Sequence, residues 1–573
     1  MTDTTAGGGA EETFMGHPRG LVTLFFTEMW ERFSFYGMRA LLVIYLTQHF
    51  LFSDDKAQGL YGAYAALVYL IPVIGGVIAD RFLGSRKAVT IGAVFLVLGH
   101  FGMAFEGNGS VQEITIAGQT YDIVSEGRGD ARQLFLENNG QQFPVDFTAE
   151  GMTVDPSAGL PNFTATADYA LSTRPDMMNI GGMSIPYEQI LYLSLALIII
   201  GVGFLKANIS TTVGALYGEN DPRRDGGFTI FYMGINLGAF LATLACGYLG
   251  QTYGWKYGFG LAGIGMTLGL IQYLMGQKHL KGKAEPPKPI SAAFEGFFWI
   301  LGLLAVIPAW LLVQQTELME QALPILVPVL FALVLVFALA GFKGLERTQM
   351  LAALVMVFFS VIFWMLFEQA GSSLSLFAER NTDLTVVPGV TMTAAQTQSF
   401  NAGFIVLLAL PFSAMWIWLA KRKMEPSTPV KFALGLIQVG LGFFVLVLGA
   451  TQFAGSDYQV PLLFLALLYL LHTTGELFLS PVGLSMITKL SPHRVVGLMM
   501  GVWFLSSSLA HILAAIIAQQ TSSDTVAGQV VDLGAQLETY VATFTQVGIW
   551  GIAAGVLLLA ISPFLKKWMG DVR

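Results

Sequence analysis

Fourteen long apolar runs recur along this chain of 573 residues, and each is about as long as one helical crossing of a lipid bilayer. With 54% hydrophobic and only 12% charged residues, the composition excludes a soluble globular protein. The runs therefore predict an all-α membrane protein with 14 spans, near residues 20–48, 57–79, 87–105, 189–216, 227–250, 257–277, 294–314, 322–342, 349–370, 400–420, 429–450, 460–482, 496–519 and 541–566.

Lysine and arginine residues mark one side of the predicted membrane protein. They cluster after even-numbered runs, as Arg223 and Arg224 do after the fourth, whereas the connections 315–321 and 451–459 contain none. Because basic residues accumulate in cytoplasmic loops, the even-numbered connections and both termini are predicted to be cytoplasmic. Residues 1–19 are polar and glycine-rich and lack the features of a signal peptide, so we expect a disordered cytoplasmic tail.

The first apolar run carries four charges. Glu28, Glu31 and Arg32 are spaced i, i+3 and i+4, so they share one helical face, and Arg39 extends that face by two turns. Charged groups inside a membrane span are costly and usually face a cavity or one another. A self-neutralising ion-pair cluster would leave Arg39 and the nearby Tyr36 unexplained, so we favour a water-filled central site on this helix.

The other predicted spans contain few charges: Lys206 in the fourth, Glu368 in the ninth and Glu476 in the twelfth. An opposite charge nearby would keep each of them ionised. Two cations, Arg39 and Lys206, lie in the amino half, and the two carboxylates lie in the carboxyl half. This division favours ion pairs that form and break between the halves over static structural bridges.

No pattern in the chain indicates an enzyme. The sequence has no metal-ligand spacing of His, Cys and Asp, no nucleophile elbow and no phosphate-binding loop, so we expect no metal and no cofactor. The single cysteine, Cys246, excludes an intramolecular disulfide. The basic residues are accounted for by membrane topology, so no nucleic-acid partner is expected.

The segment 106–187, between the third and fourth runs, is polar and glycine-rich. Residues 106–180 hold 11 acidic and 3 basic residues, which equals the whole net charge of −8. Its alternating stretches predict short β-strands, and the topology makes it extracytoplasmic. It is either a tolerated insertion at a loop tip or a small cap that modulates entry to the outer vestibule.

Five motifs occur in order along the chain: Glu28-Met-Trp-Glu-Arg-Phe-Ser-Phe-Tyr-Gly37, Gly75–Arg81, Phe231–Gly238, Phe363–Gln369 and Gly475–Pro481. Together they resemble the signatures of the proton-dependent oligopeptide transporter (POT/PTR) family of the major facilitator superfamily. The resemblance implies two six-helix bundles with substrate held between them. Bacterial members often carry two extra helices between the bundles.

The resemblance divides the chain into four parts. An amino-terminal bundle at 20–277, which contains the insertion, follows the tail, and the two extra helices lie within a linker at 278–348. A carboxyl-terminal bundle at 349–573 completes the chain.

The resemblance also implies a proton-coupled symporter that imports di- and tripeptides by alternating access. Glu28, Glu31, Arg32 and Glu368 would couple protons, and the ion pairs Arg39–Glu368 and Lys206–Glu476 would act as gates. A peptide needs a cation for its carboxylate, an anion for its ammonium group and adaptable walls between them. The residues expected to bind peptide are Arg32, Tyr36, Tyr69, Lys206, Asn236, Trp364, Asn401, Glu476, Ser480 and Trp503.

Two alternatives remain open from the sequence: a proton-coupled carrier of another small solute, and a non-transporting peptide sensor. Plant-like members that carry nitrate commonly lose the first-helix charge cluster, which is intact here, whereas a sensor would bind peptide without accumulating it. The expected partners are small peptides, protons and the lipid bilayer, and the expected state is a monomer in a bacterial inner membrane.

Overall fold

The computed structural model describes residues 13–116, 118–127, 132–148, 151–154, 169–218, 221–479 and 483–570. Most of the expected amino-terminal tail lies outside these ranges. Its last residues form a short hairpin of β1 (Thr13–Phe14) and β2 (His17–Pro18). His17 Nδ1 lies 2.9 Å from the Tyr217 hydroxyl, so this part of the expected tail is packed against the amino-terminal bundle.

The amino-terminal bundle contains six long helices. They are α1 (Arg19–Gln48), α2 (Asp54–Ile78, continued by a π-helical turn at Ala79–Leu83), α3 (Ser85–Met103), α4 (Glu188–Ala215), α5 (Arg224–Thr252) and α6 (Trp255–Gly276). The Ser53 side chain caps the first turn of α2, where Asp54 and Asp55 complement the helix dipole. A Cβ atom at Gly75 would clash with the Gly203 carbonyl, so α2 and α4 cross in backbone contact.

Two further helices follow, α7 (Ala292–Val313) and α8 (Thr316–Gly341). Helix α7 packs against α4. Helix α8 contacts α2 and also the carboxyl-terminal bundle. Their position between the two bundles confirms the predicted pair of additional helices.

The carboxyl-terminal bundle repeats the six-helix arrangement, and its first membrane-spanning segment is interrupted at Glu368. It contains α9 (Gly344–Phe367), a 3₁₀ turn (Glu368–Gly371), α10 (Ser373–Arg380), α11 (Ser399–Lys421), α12 (Thr428–Gln452), α13 (Leu462–Leu479), α14 (Gly483–Leu490), α15 (Val496–Gln519) and α16 (Leu533–Met569). The ninth predicted span thus breaks at Glu368, and helix α8 packs against α15.

Among the described residues, 13 helices are long and apolar enough to cross a membrane. They do not include α1, which has 30 residues but carries Glu28, Glu31, Arg32 and Arg39. With α1 added, the predicted arrangement of two bundles and two extra helices is confirmed.

The segment between α3 and α4 is rich in β-structure, as predicted. Its strands are β3 (Val111–Ile116), β4 (Gln119–Glu126), β5 (Gln133–Asn138), β6 (Gln141–Thr148), β7 (Gly151–Val154), β8 (Tyr169–Arg174), β9 (Met177–Ile180) and β10 (Met183–Pro186). Six of them form an antiparallel sheet in the order β7-β6-β5-β4-β3-β8, and β9 pairs with β10. Alternating side chains such as Ile114, Ile116, Leu134 and Leu136 give this sheet its own apolar core.

Short strands also occur in the outer connections of the carboxyl-terminal bundle: β11 (Thr382–Asp383), β12 (Thr385–Val387), β13 (Val390–Thr391), β14 (Val460–Pro461), β15 (Thr525–Val526) and β16 (Gln529–Val530). The hairpin of β15 and β16 inserts its tip into the core of the six-stranded sheet, where Val526 and Ala527 are buried. Gln112 Oε1 accepts a hydrogen bond from Ala527 N at 3.2 Å, and Arg132 donates to Ala527 O at 2.6 Å. The insertion therefore contacts both bundles.

Candidate functional site

The charges of α1 form a buried cluster. Arg32 Nε lies 3.0 Å from Glu28 Oε1 and also contacts Glu31, and all three side chains are buried. Within the described structure, Glu28 Oε2 and Arg32 Nη2 have no hydrogen-bond partner. Because a buried polar group without a partner is unfavourable, Glu28 Oε2 is available to accept a proton or a hydrogen bond, and Arg32 Nη2 is available to donate one to water or a ligand.

Two turns beyond Arg32 on α1, the side chain of Arg39 contacts the carboxyl-terminal bundle. Arg39 Nη2 donates to Glu368 Oε2 at 2.5 Å, and Arg39 Nε donates to the Tyr61 hydroxyl at 2.7 Å. Glu368 is placed by the 3₁₀ turn that ends α9, and the next residue, Gln369, fixes that turn by donating to Ala514 O of α15 at 2.9 Å. A fork-shaped guanidinium with two fixed acceptors holds the two bundles together at this level.

The two residues of the second expected gate, Lys206 and Glu476, contact other partners in the structure. Lys206 Nζ lies 3.6 Å from the centre of the Tyr69 ring, a cation–π contact, and it acts electrostatically on Glu28 and Glu31. Among the described residues, no ion pair joins it to Glu476, whose Oε2 instead accepts from Asn401 Nδ2 at 3.0 Å. The two groups belong to α4 and α13, which lie in different bundles.

Aromatic side chains from three helices enclose a cavity of about 110 Å³ next to these charges. It is lined by Tyr69, Trp364, Glu368, Trp503, Ser507 and His511. Of the expected wall residues, the structure thus brings together Tyr69, Trp364 and Trp503, and it places Tyr36 beside them, with Arg39 5.7 Å from the centre of its ring.

The structure does not bring all the expected residues to this cavity. Asn236 donates at 3.0 Å to the Tyr232 carbonyl of its own helix, and it contacts none of the other expected side chains through a described hydrogen bond. Asn401 lies with Glu476, as expected for an ammonium site, and it also donates to Thr473 Oγ1 at 3.0 Å. Ser480 lies outside the described residues.

Two cavity residues, Ser507 and His511, were not among the sequence predictions. They follow Trp503 at i+4 and i+8, so all three share one face of α15. This spacing from Trp503 is the sequence signal by which Ser507 and His511 could have been predicted. The signal is weak, because both residues lie within an uninterrupted apolar run.

The outer ends of the bundles are joined by further polar contacts that sequence reasoning missed. Arg380 donates two hydrogen bonds to Asp54, at 2.6 and 2.7 Å, and both side chains are buried. Gln48 donates to Glu379, and Gln519 donates to the Asp55 carbonyl at 3.2 Å. These contacts close the end of the bundles that carries the β-rich insertion.

Towards the opposite end the bundles separate. The face of α2 that meets α15 at Gly62 and Ala66 continues along the helix to Val77, whose side chain is exposed. The deepest hydrogen bond described between the two helices runs from Ser508 Oγ to Ala66 O at 3.0 Å, near the middle of both. The cavity therefore lies at the inner limit of the closed outer region.

Comparison with known proteins gives a consistent result. The PTR2 family model, described as the POT family, matches residues 86–533. A protein of Bacillus subtilis (strain 168) called "Uncharacterized transporter YclF" is 34% identical, with 98% of this chain and 97% of that protein covered. A "Di-/tripeptide transporter" of Lactococcus lactis subsp. lactis is 32% identical, with 98% of this chain and 99% of that protein covered. A crystal structure of a variant of the peptide transporter POT in complex with alafosfalin is similar with a TM-score of 0.73 and 32% identity, with 98% of each chain covered.

Proposed function

This chain belongs to the POT family, whose members are transporters and not enzymes, and on that premise we propose that it imports di- and tripeptides together with protons. The observation that carries the proposal is the Arg39–Glu368 ion pair, which joins the two bundles directly beside the central cavity. A pair in that position links the charge of one carboxylate to the separation of the bundles. The name of the Lactococcus lactis relative supports small peptides as the substrate.

Peptide recognition would use the charges on the two sides of the cavity. Arg32 and Lys206 supply cations for the peptide carboxylate, and Glu476, held by Asn401, supplies an anion for the ammonium group. A peptide that bound all of these would connect α1 and α4 with α13. Because α13 belongs to the other bundle, binding would favour a conformation in which the inner ends approach each other.

The proton would act on the outer gate. A protonated Glu368 is neutral and loses most of its attraction for Arg39, which favours separation of the outer ends. The deprotonated carboxylate restores the ion pair and closes them. Proton and peptide thus act on the same two-state equilibrium, and this shared equilibrium couples their movements.

The location of the protein in a membrane follows from its membership of the POT family. The apolar helices and the family show an integral membrane protein. We propose a monomer in a bacterial inner membrane. Both termini are proposed to lie in the cytoplasm, because the basic residues cluster in the even-numbered connections.

The test is peptide-driven proton flux in proteoliposomes, with dialanine as the peptide. We expect the wild-type protein to acidify the lumen when dialanine is added outside. Glu31→Gln and Glu368→Gln should abolish this flux, while exchange of labelled dialanine across the membrane survives in at least one of them. Glu346→Gln is the matched control, because Glu346 lies on α9 as a partly exposed partner of Arg494 at 3.1 Å, within one bundle.

The other outcomes separate the alternatives. Wild-type protein that neither binds dialanine nor moves protons would contradict the peptide assignment and favour another small solute. Binding without flux would favour a sensor. Full proton flux in both carboxylate variants would contradict the proposed coupling residues.

A further inference from the structure

His511 lies in the central cavity and makes no described hydrogen bond. Its side chain is largely buried on α15, and it lines the same cavity as Glu368. Its ring contacts the Tyr69 ring at a tilt of 38°, with a centroid distance of 4.5 Å. Because histidine is the side chain that most readily changes charge near neutral pH, an imidazole in this position requires an explanation.

The Tyr69 ring connects His511 with the cation of α4. The same ring carries Lys206 Nζ at 3.6 Å from its centre, so imidazole and ammonium contact one aromatic side chain. Burial disfavours a positive charge on His511. Glu368, in the turn after α9, attracts such a charge, whereas Arg39 from α1 and Lys206 from α4 oppose it. A charge on His511 therefore depends on whether Glu368 is ionised and on whether a substrate carboxylate neutralises Lys206.

Other charged groups on the neighbouring elements lie at the ends of α15. Glu320 of α8 accepts a hydrogen bond from Gln519, which is about 12 Å along the helix from His511 at 1.5 Å per residue. Lys489 of α14 precedes α15, whose first residue, Val496, is about 22 Å along the helix from His511 by the same rise. Among the charged groups around α15, Glu368, Arg39 and Lys206 are thus the ones that act on His511.

We propose that His511 accepts the proton that Glu368 releases when the Arg39–Glu368 ion pair forms, and that it passes this proton towards the cytoplasm. In this step the O–H bond of the Glu368 carboxylic acid breaks, and an N–H bond forms at the ring nitrogen that carries no hydrogen in neutral imidazole. The cavity of about 110 Å³ has room for bridging water between the two groups. The ion pair then holds Glu368 as a carboxylate, and the nearby cations favour release of the proton from His511 to water on the open cytoplasmic side.

This inference rests on the proposed function, because it assigns a residue to the proton path of the same symport. A proton-carrying role can be distinguished from a purely structural one, because the chain contains a second buried histidine for comparison. His472 of α13 is also buried, but its Nε2 lies 3.2 Å from the Val439 carbonyl, and it does not line the cavity. His472→Gln is therefore the matched control for His511→Gln.

The experiment uses the full chain in proteoliposomes and measures two quantities for each variant. The first is dialanine-driven proton flux as a function of external pH, and the second is counterflow of labelled dialanine at equal pH on both sides. For His511→Gln we expect loss of proton flux and of its pH dependence, with counterflow retained. His472→Gln should keep both, and His511→Asn serves as a second variant in case glutamine disturbs folding.

The outcomes distinguish this proposal from the one on which it rests. Wild-type protein without dialanine-driven flux contradicts the proposed function itself. Wild-type flux together with an unchanged pH profile in either folded His511 variant overturns the assignment of His511. Loss of counterflow in both His511 variants also overturns it, because the residue would then hold the peptide or the cavity wall and not the proton.

Discussion

Asp54 and Arg380 form a buried ion pair between the two bundles that is held by two hydrogen bonds. Asp54 lies in the first turn of α2, where its Oδ2 also accepts a hydrogen bond from Ser523 N at 3.2 Å. Arg380 ends α10 and additionally contacts Glu379, with Nε 3.3 Å from Oε2. A buried pair of this kind contributes little net stability, but loss of one partner leaves an uncompensated buried charge.

At the residue scale we therefore predict that Asp54→Asn destabilises the protein strongly. The free energy of unfolding should fall by about 3 kcal/mol, at the lower end of the range for a broken buried pair, because Glu379 still contacts Arg380. Thermal unfolding in detergent measures the change. The double variant with Arg380→Met should recover part of it, and Glu346→Gln, at a partly exposed pair, should cost less than about 1 kcal/mol. Equal effects of Asp54→Asn and Glu346→Gln would contradict the prediction.

The elements that could be predicted from the sequence are those that one local pattern determines. Each transmembrane helix is a long apolar run between polar connections, so the predicted span 496–519 coincides with α15. The break of the ninth span at Glu368 could not be predicted, because it depends on Gln369 bonding to α15. Asp54 and Arg380 looked like ordinary charges at the ends of runs, and only the tertiary structure brings them together and buries them. His511 was overlooked because a single histidine hardly changes the hydropathy of its run.

At the element scale, the insertion and the β15–β16 hairpin form one unit across the outer side. Gly528 at the hairpin tip has φ +76°, and a Cβ there would lie 2.8 Å from the Thr47 carbonyl of α1. The insertion belongs to the amino-terminal bundle and the hairpin to the carboxyl-terminal bundle. Opening of the outer side must therefore either separate the hairpin from the sheet or move the sheet with it, which favours a cap over a tolerated loop insertion.

We predict that Ala527→Asp weakens this contact and favours opening of the outer side. The carboxylate would enter the apolar core that contains Ile114 and Leu136, where a charge without a partner is unfavourable. The readout is labelling of a cysteine at Gln48, which is covered by Glu379 in the closed state, by an impermeant maleimide from the outside. Labelling should rise in Ala527→Asp and stay low in Ala527→Ser, both in a Cys246→Ser background.

Uptake measurements then test whether the insertion affects transport. Replacement of residues 108–184 by a short linker should change the KM or the maximal rate of dialanine uptake. Unchanged values, together with unchanged labelling at Gln48, would leave the segment as a tolerated insertion.

At the scale of the whole molecule, the polar contacts between the bundles are distributed unevenly. The Asp54–Arg380 pair and the sheet–hairpin contact lie at the outer end, and the Arg39–Glu368 pair lies above the cavity. Below the cavity the cation and the carboxylate that were expected to pair, Lys206 and Glu476, stay with Tyr69 and Asn401 instead. The two charged groups of the inner level are thus available to a substrate that carries both charges.

This arrangement leads to a prediction for the complete transport cycle. A dipeptide that bridges Lys206 and Glu476 should draw α4 and α13 together and close the cytoplasmic side, because it replaces a missing contact between the bundles. A cysteine at Val77, on the exposed inner part of α2, reports this closure by its labelling rate from the cytoplasmic side. Saturating dialanine should slow the labelling in a Cys246→Ser background. It should have no effect at a control cysteine at Lys281, in the exposed connection between α6 and α7.

The effect should disappear in Glu476→Gln, which retains the shape of the side chain without its charge. Slower labelling that persists in Glu476→Gln would mean that the peptide closes the inner side without this carboxylate, and the assignment of Glu476 to the ammonium group would then be wrong.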